Sequence, residues 1–171
     1  MNYRVKSINP DIIGDYTNIE YPDRRQFPDD ETVNRWKSLG HLYVNYTGLL
    51  REEYRGVPQW CHDIVNEIKK EHQVKNTSLS VYCMPPGTIM PEHQDTYPRY
   101  RKVYNIEDQN NVCRFLIFLN DWKSGHYFEL NRTPIVNWKK GDCYMWRGDA
   151  PHMAANLGDE NRYTMQITAT I

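Results

Sequence analysis

From about residue 78 onward the chain is a train of short apolar-rich segments broken by turn residues, and this constrains the fold more than any other feature. The segments 79–84, 93–95, 112–119, 126–130, 134–138, 142–146, 152–156 and 162–171 read as strands. Between them stand Pro85-Pro86-Gly87, Ser124-Gly125, Lys140-Gly141-Asp142 and Gly158-Asp159-Glu160-Asn161. Glycine, proline, asparagine and aspartate supply the backbone angles that tight turns demand. Eight short strands without long helices between them predict a mainly β chain folded as an antiparallel jelly-roll.

Periodicity assigns faces to these strands. Residues 115–119 are apolar on both faces, which predicts a central strand. In 162–171, Arg162, Thr164, Gln166 and Thr168 share one face, and Tyr163, Met165, Ile167 and Ala169 share the other. The polar face either meets water or lines a pocket inside the roll. The apolar face needs a cover, and the stretch 58–72 supplies one. There Trp60, Cys61, Ile64, Val65 and Ile68 recur at helical spacing behind Pro58, a residue suited to a first helical turn. A shorter helix is predicted over 32–39 with Trp36 and Leu39 inward, and a strand over 42–46. The segment 105–111 reads as a polar loop. A chain of 171 residues fits one domain, with residues 1–77 as helical and irregular support and 78–171 as the β core.

Charge and cysteine content narrow the setting. With 21 Lys+Arg against 22 Asp+Glu, nothing signals nucleic-acid or membrane binding. Cys61, Cys83, Cys113 and Cys143 form no Cys-x-x-Cys pair and sit in apolar segments, as free thiols of a reducing compartment do. No apolar run approaches the roughly 20 residues of a membrane span. The expectation is a cytoplasmic protein.

The densest chemistry is His93-Gln94-Asp95. On an extended segment these two side chains point the same way, offering one imidazole and one carboxylate to a divalent metal. A third ligand has to come from elsewhere, and His152 is the best candidate. Two histidines and one carboxylate on one face of the metal, with the other face open, is the arrangement of non-haem Fe(II) sites.

The order His93-x-Asp95, then His152, then Arg162-x-Thr164 resembles the iron(II)/2-oxoglutarate-dependent oxygenases. It is most similar to small single-domain hydroxylases of the prolyl- and aspartyl-hydroxylase type, some of them phage-encoded. The resemblance covers about residues 79–171, and residues 1–57 match nothing in it. It implies a double-stranded β-helix with N-terminal helices packed on the larger sheet. It implies Fe(II) on His93, Asp95 and His152, and 2-oxoglutarate chelating that metal with its far carboxylate on Arg162 and Thr164. Tyr82 is the candidate for a tyrosine that hydrogen-bonds the co-substrate, against the alternative of a core tyrosine. The implied reaction consumes O2, decarboxylates 2-oxoglutarate to succinate and CO2, and hydroxylates a C–H bond. The substrate would be a peptidyl residue such as proline, or a small molecule, with ascorbate as a stimulant.

Other residues keep two readings each. Arg114 either pairs with Asp95 or the substrate, or ends its strand at the surface. His126 opens a strand where substrate approaches, or packs. Trp146, with Trp138 and Tyr144, walls a pocket or fills the core. His62 and His72 lie at the boundary of the longer helix. The basic, aromatic run 97–102 reads as a solvated loop, with a substrate-contacting lid as the alternative. Two functional alternatives also stand: a cupin-like metal enzyme that does not use 2-oxoglutarate, and a metal-free jelly-roll binding module.

Overall fold

The computed structural model describes residues 3–24, 30–41, 47–148 and 150–171; the strand expected over 42–46 lies outside them. The described elements are, in order, β1 (Arg4–Val5), β2 (Asp23–Arg24), α1 (Asp30–Ser38), β3 (Leu49–Glu52), α2 (Gln59–His72), β4 (Lys75–Met84) and β5 (Thr88–His93). They continue with α3 (Pro98–Tyr104), β6 (Val112–Phe118), β7 (His126–Leu130), β8 (Thr133–Ile135), β9 (Cys143–Arg147), β10 (His152–Asn156) and β11 (Arg162–Thr170). Two antiparallel sheets face each other. The larger has seven strands in the order β1-β9-β6-β11-β4-β3-β2, and the smaller has four in the order β5-β10-β7-β8.

Alternation along the larger sheet builds two separate cores. One face of β4, β6 and β11 presents Leu79, Val81, Phe115, Ile117, Met165 and Ile167 outward, where they meet Cys61, Ile64, Val65 and Ile68 of α2. The opposite face presents Tyr82, Met84, Leu116 and Phe118 inward, against Met90, Phe128, Leu130 and Ala154 of the smaller sheet. β11 occupies the middle of the larger sheet, hydrogen-bonded to β4 on one side and β6 on the other. The expected helix is confirmed. Pro58 caps its start and Gln73, at φ 54°, ends it in the left-handed conformation. Trp60 is only partly buried, while the rest of the stripe faces the sheet.

Several expectations change in the structure. The larger sheet draws β1, β2 and β3 from the first 57 residues, so the N-terminal part completes the sheet as well as covering it. α1 ends at Ser38, and Leu39 beyond it is 66% exposed; Val33 and Trp36 are the residues that turn inward. α1 sits at the smaller sheet, where the Trp36 indole Nε1 donates to the Glu92 carbonyl at 2.9 Å. The run 97–102 is largely helical, as α3, rather than a loop. Trp138 lies beyond the end of β8, although it is buried. Among the described residues, no helix is long and apolar enough to cross a membrane.

The seal between α2 and β11 predicts a stability cost. Ile64 is 0% exposed, so Ile64→Ala is expected to lose about 2–5 kcal/mol through the removed methyl groups and the cavity they leave. Denaturant unfolding measures it, and a loss under about 1 kcal/mol would place the helix outside the core.

Candidate metal centre

The two histidines reach the site from facing positions on neighbouring strands. His93 ends β5, His152 begins β10, and the two are partners in the register. Their ring centroids lie 4.2 Å apart. Each ring is oriented by its own chain: Nδ1 of His93 is 2.8 Å from the Pro91 carbonyl, and Nδ1 of His152 is 2.9 Å from that of Ala150. A proton on Nδ1 then puts the lone pair on Nε2, the usual way in which an outer hydrogen bond prepares a histidine for a metal. Burial holds the His152 imidazole below its ordinary pKa range, although Asp95 pulls the other way. The neutral ring is the form that binds a cation.

Asp95 arrives differently from the way its spacing suggests. β5 stops at His93, so Asp95 stands two residues beyond the strand and is not placed by strand alternation. It nevertheless converges on the histidines. Its Oδ2 is 3.7 Å from Nε2 of His152 and 3.1 Å from Nη2 of Arg114. One donor atom from each of His93, Asp95 and His152 falls within 4.8 Å of the others, so the three are able to hold one metal ion. Two imidazoles and one carboxylate suit a divalent transition metal.

A cavity between the sheets joins this triad to Arg162, and Tyr82, Arg114, Trp146, Thr164 and Gln166 also line it. The polar face of β11 is therefore the interior one. The turn before β11 is anchored by Asn156, whose Nδ2 donates to the carbonyls of Met84 at 2.7 Å and Glu160 at 2.8 Å. A Cβ on Gly158 in that turn would lie 2.2 Å from the Ser124 carbonyl oxygen, so only glycine fits.

Arg162 is 2% exposed. Its Cζ sits 5.5 Å, 5.8 Å and 5.5 Å from the ring centroids of Phe118, Phe128 and Trp138. Among the described residues it has no acidic partner, its Nε makes no hydrogen bond, and its Nη1 donates to the Met84 sulfur at 3.6 Å. Burial draws its pKa down to about 10. The Thr164 hydroxyl, two residues along, is also buried and makes no hydrogen bond among the described residues. Buried cations and hydroxyls are normally satisfied, and this pair has donors that suit an anionic group.

Tyr82 stands beside Thr164 in the register. Its hydroxyl donates to the Thr47 carbonyl. The ring reaches that carbonyl past Gly48, where φ is +143° and a Cβ would come 2.5 Å from the hydroxyl oxygen. Arg114 is inside the site, on Asp95, rather than at the surface. Trp146 is a wall residue, its ring 5.0 Å from that of His152. His126 packs against Trp138 with Nε2 3.0 Å from the Glu160 carbonyl, and it is not among the residues lining the cavity. By sequence the run 97–102 reads as a loop or a substrate-contacting lid, and its first residue, Tyr97, instead lies with its ring 5.1 Å from the Arg114 guanidinium. Its position two residues after Asp95 is the signal that places it near the site.

No family model and no curated protein matches the chain. Among solved structures, a Pseudomonas putida prolyl-4-hydroxylase superposes with a TM-score of 0.58 at 15% identity, over 86% of this chain and 90% of that one. A protein from Klebsiella pneumoniae with a double-stranded beta-helix domain gives 0.39 at 14% identity, over 57% and 70%. A cupin protein from Bacteroides fragilis gives 0.40 at 12% identity, over 60% and 73%. The first likeness and the two facing antiparallel sheets establish a double-stranded β-helix.

The lone guanidinium predicts an unusual stability effect. Arg162→Met, which fills similar volume without charge, is expected to raise stability by about 1–4 kcal/mol when no anion is present. Thermal melts in a buffer free of carboxylates and phosphate test this, and a lower midpoint would show that the contacts of Arg162 with the Phe118, Phe128 and Trp138 rings and the Met84 sulfur outweigh the cost of burying the charge.

Proposed function

We propose that this protein is an Fe(II)- and 2-oxoglutarate-dependent dioxygenase. It would hydroxylate a C–H bond of a peptidyl residue such as proline, or of a small molecule, while 2-oxoglutarate and O2 become succinate and CO2. The observation that carries this reading is the pairing, in one cavity, of the His93/Asp95/His152 cluster with the Arg162 guanidinium, which has no acidic partner among the described residues, and the Thr164 hydroxyl. A divalent metal, Asp95 and a dicarboxylate together carry one net negative charge, and Arg114, already on Asp95, offsets it. Arg162 is a second buried cation lining the cavity, with no acidic partner among the described residues, and it offers its charge to the dicarboxylate's far carboxylate. A cupin-like site without the dicarboxylate leaves that cation buried and uncompensated.

The roles follow from position. His93, Asp95 and His152 hold the metal, which when bound supplies the oxygen-activating chemistry. Arg162 presents a planar fork to the far carboxylate of the co-substrate, and Thr164 donates its hydroxyl to the same group. Tyr82 and Trp146 form side walls that keep water from the cavity. Four free, buried thiols support a reducing, cytoplasmic setting.

The test is succinate formation with Fe(II), 2-oxoglutarate, O2 and ascorbate, alone and with panels of peptides and metabolites. His93→Ala and Asp95→Ala are expected to abolish it. Arg162→Ala is expected to raise the KM for 2-oxoglutarate about ten- to a hundredfold, the worth of a charge-assisted contact, with iron content little changed. Loss of iron at an unchanged KM would overturn the assignment of Arg162.

A further inference from the structure

The three candidate ligands are not held equally. His93 and His152 sit on paired strands, and a backbone carbonyl orients each ring. Asp95 lies past the end of β5, and the terminal torsion of an aspartate is intrinsically broad. Its carboxylate needs an outside constraint to face the histidines.

We infer that Arg114 is a positioning residue that aims the Asp95 carboxylate at the histidine pair, with Gln166 as its anchor. This rests on the metal-site reading above. Arg114 Nη2 meets Asp95 Oδ2 at 3.1 Å, and the two side chains are only 12% and 13% exposed, so solvent screens the pair little. The oxygen that Arg114 holds is the one lying 3.7 Å from Nε2 of His152. A carboxylate oxygen has lone pairs for both a guanidinium and a metal. The guanidinium is itself fixed. Nη1 donates to Gln166 Oε1 at 3.3 Å, and Cζ lies 5.1 Å from the Tyr97 ring centroid. Its backbone is held in β6 between Thr168 of β11 and Trp146 of β9. A chain of contacts therefore runs from Gln166 on the central strand, through Arg114, to Asp95. Gln166 shares that strand face with Arg162 and Thr164, so the strand that faces the far end of the cavity also orients the metal end.

Charge and positioning predict opposite signs. A cation beside a divalent metal repels it, so if charge alone mattered, removing Arg114 would tighten metal binding. If Arg114 positions Asp95, removing it weakens binding, and lost outer-shell partners typically cost ten- to a hundredfold in affinity. The probe is Co(II), followed by calorimetry and by its visible d–d band, with no turnover required. Arg114→Gln is expected to weaken Co(II) binding about tenfold or more and to shift the band. Gln166→Leu, which leaves Arg114 and Asp95 in place, is expected to weaken it in the same direction but less. Arg114→Lys, which keeps the charge without the two-pronged fork, is expected to recover only part of the affinity. Unchanged or tighter Co(II) binding in both Arg114→Gln and Gln166→Leu, with an unchanged band, overturns the inference and leaves the metal site standing. A lower melting midpoint with Co(II) affinity preserved also overturns it, because the role is then structural. If wild-type protein binds no Co(II) in a His93-dependent way, the metal-site reading falls and takes this inference with it.

Discussion

The structure depends on the two-faced burial of β11. One face, through Met165, Ile167 and Ala169, is sealed under α2 without any exposed area. The other carries Arg162, Thr164 and Gln166 into the space between the sheets. Because the outer face seals completely, the strand cannot slip by one residue without driving a guanidinium into an apolar core. Register, and with it the place of every polar group in the cavity, follows from that constraint.

The inner polar row is only partly satisfied. Arg114 finds both Asp95 and Gln166, while among the described residues the Arg162 Nε and the Thr164 hydroxyl make no hydrogen bond. Under the proposed function, a ligand carboxylate at these donors would satisfy them and add to stability by binding the folded state. The same logic applies at the other end of the cavity. There, backbone carbonyls orient the histidines and a side-chain relay meets the carboxylate, and these two devices differ in how readily substitution removes them.

Much of this was legible in the residues. The amphipathic helix over 58–72, the apolar run through Phe115 and most of the strand train appear where periodicity places them, with β5 at 88–93 and β8 at 133–135 in place of 93–95 and 134–138. The reading failed where a local rule met a chain end. Alternation carried the strand on through Asp95, but β5 stops at His93. Helical spacing turned Leu39 inward, but α1 stops one residue earlier. The basic run after the motif looked solvated by composition. Yet Pro98 starts a helix there, and its Tyr100 hydroxyl reaches the Asn76 carbonyl at 2.6 Å.

The amino-acid order by itself determined that the two faces of β11 differ, that a helix covers one of them, and that the ligand types for a divalent metal are present in the right sequence. Only the tertiary structure decided that the polar face points inward, that Arg162 lacks an acidic partner among the described residues, and that Arg114 lies on Asp95 and not in solvent. The reason is physical. Periodicity is a property of neighbours along the chain, whereas the partner of a buried charge is set by contacts between strands far apart in sequence, which exist only once the sheets have closed on each other.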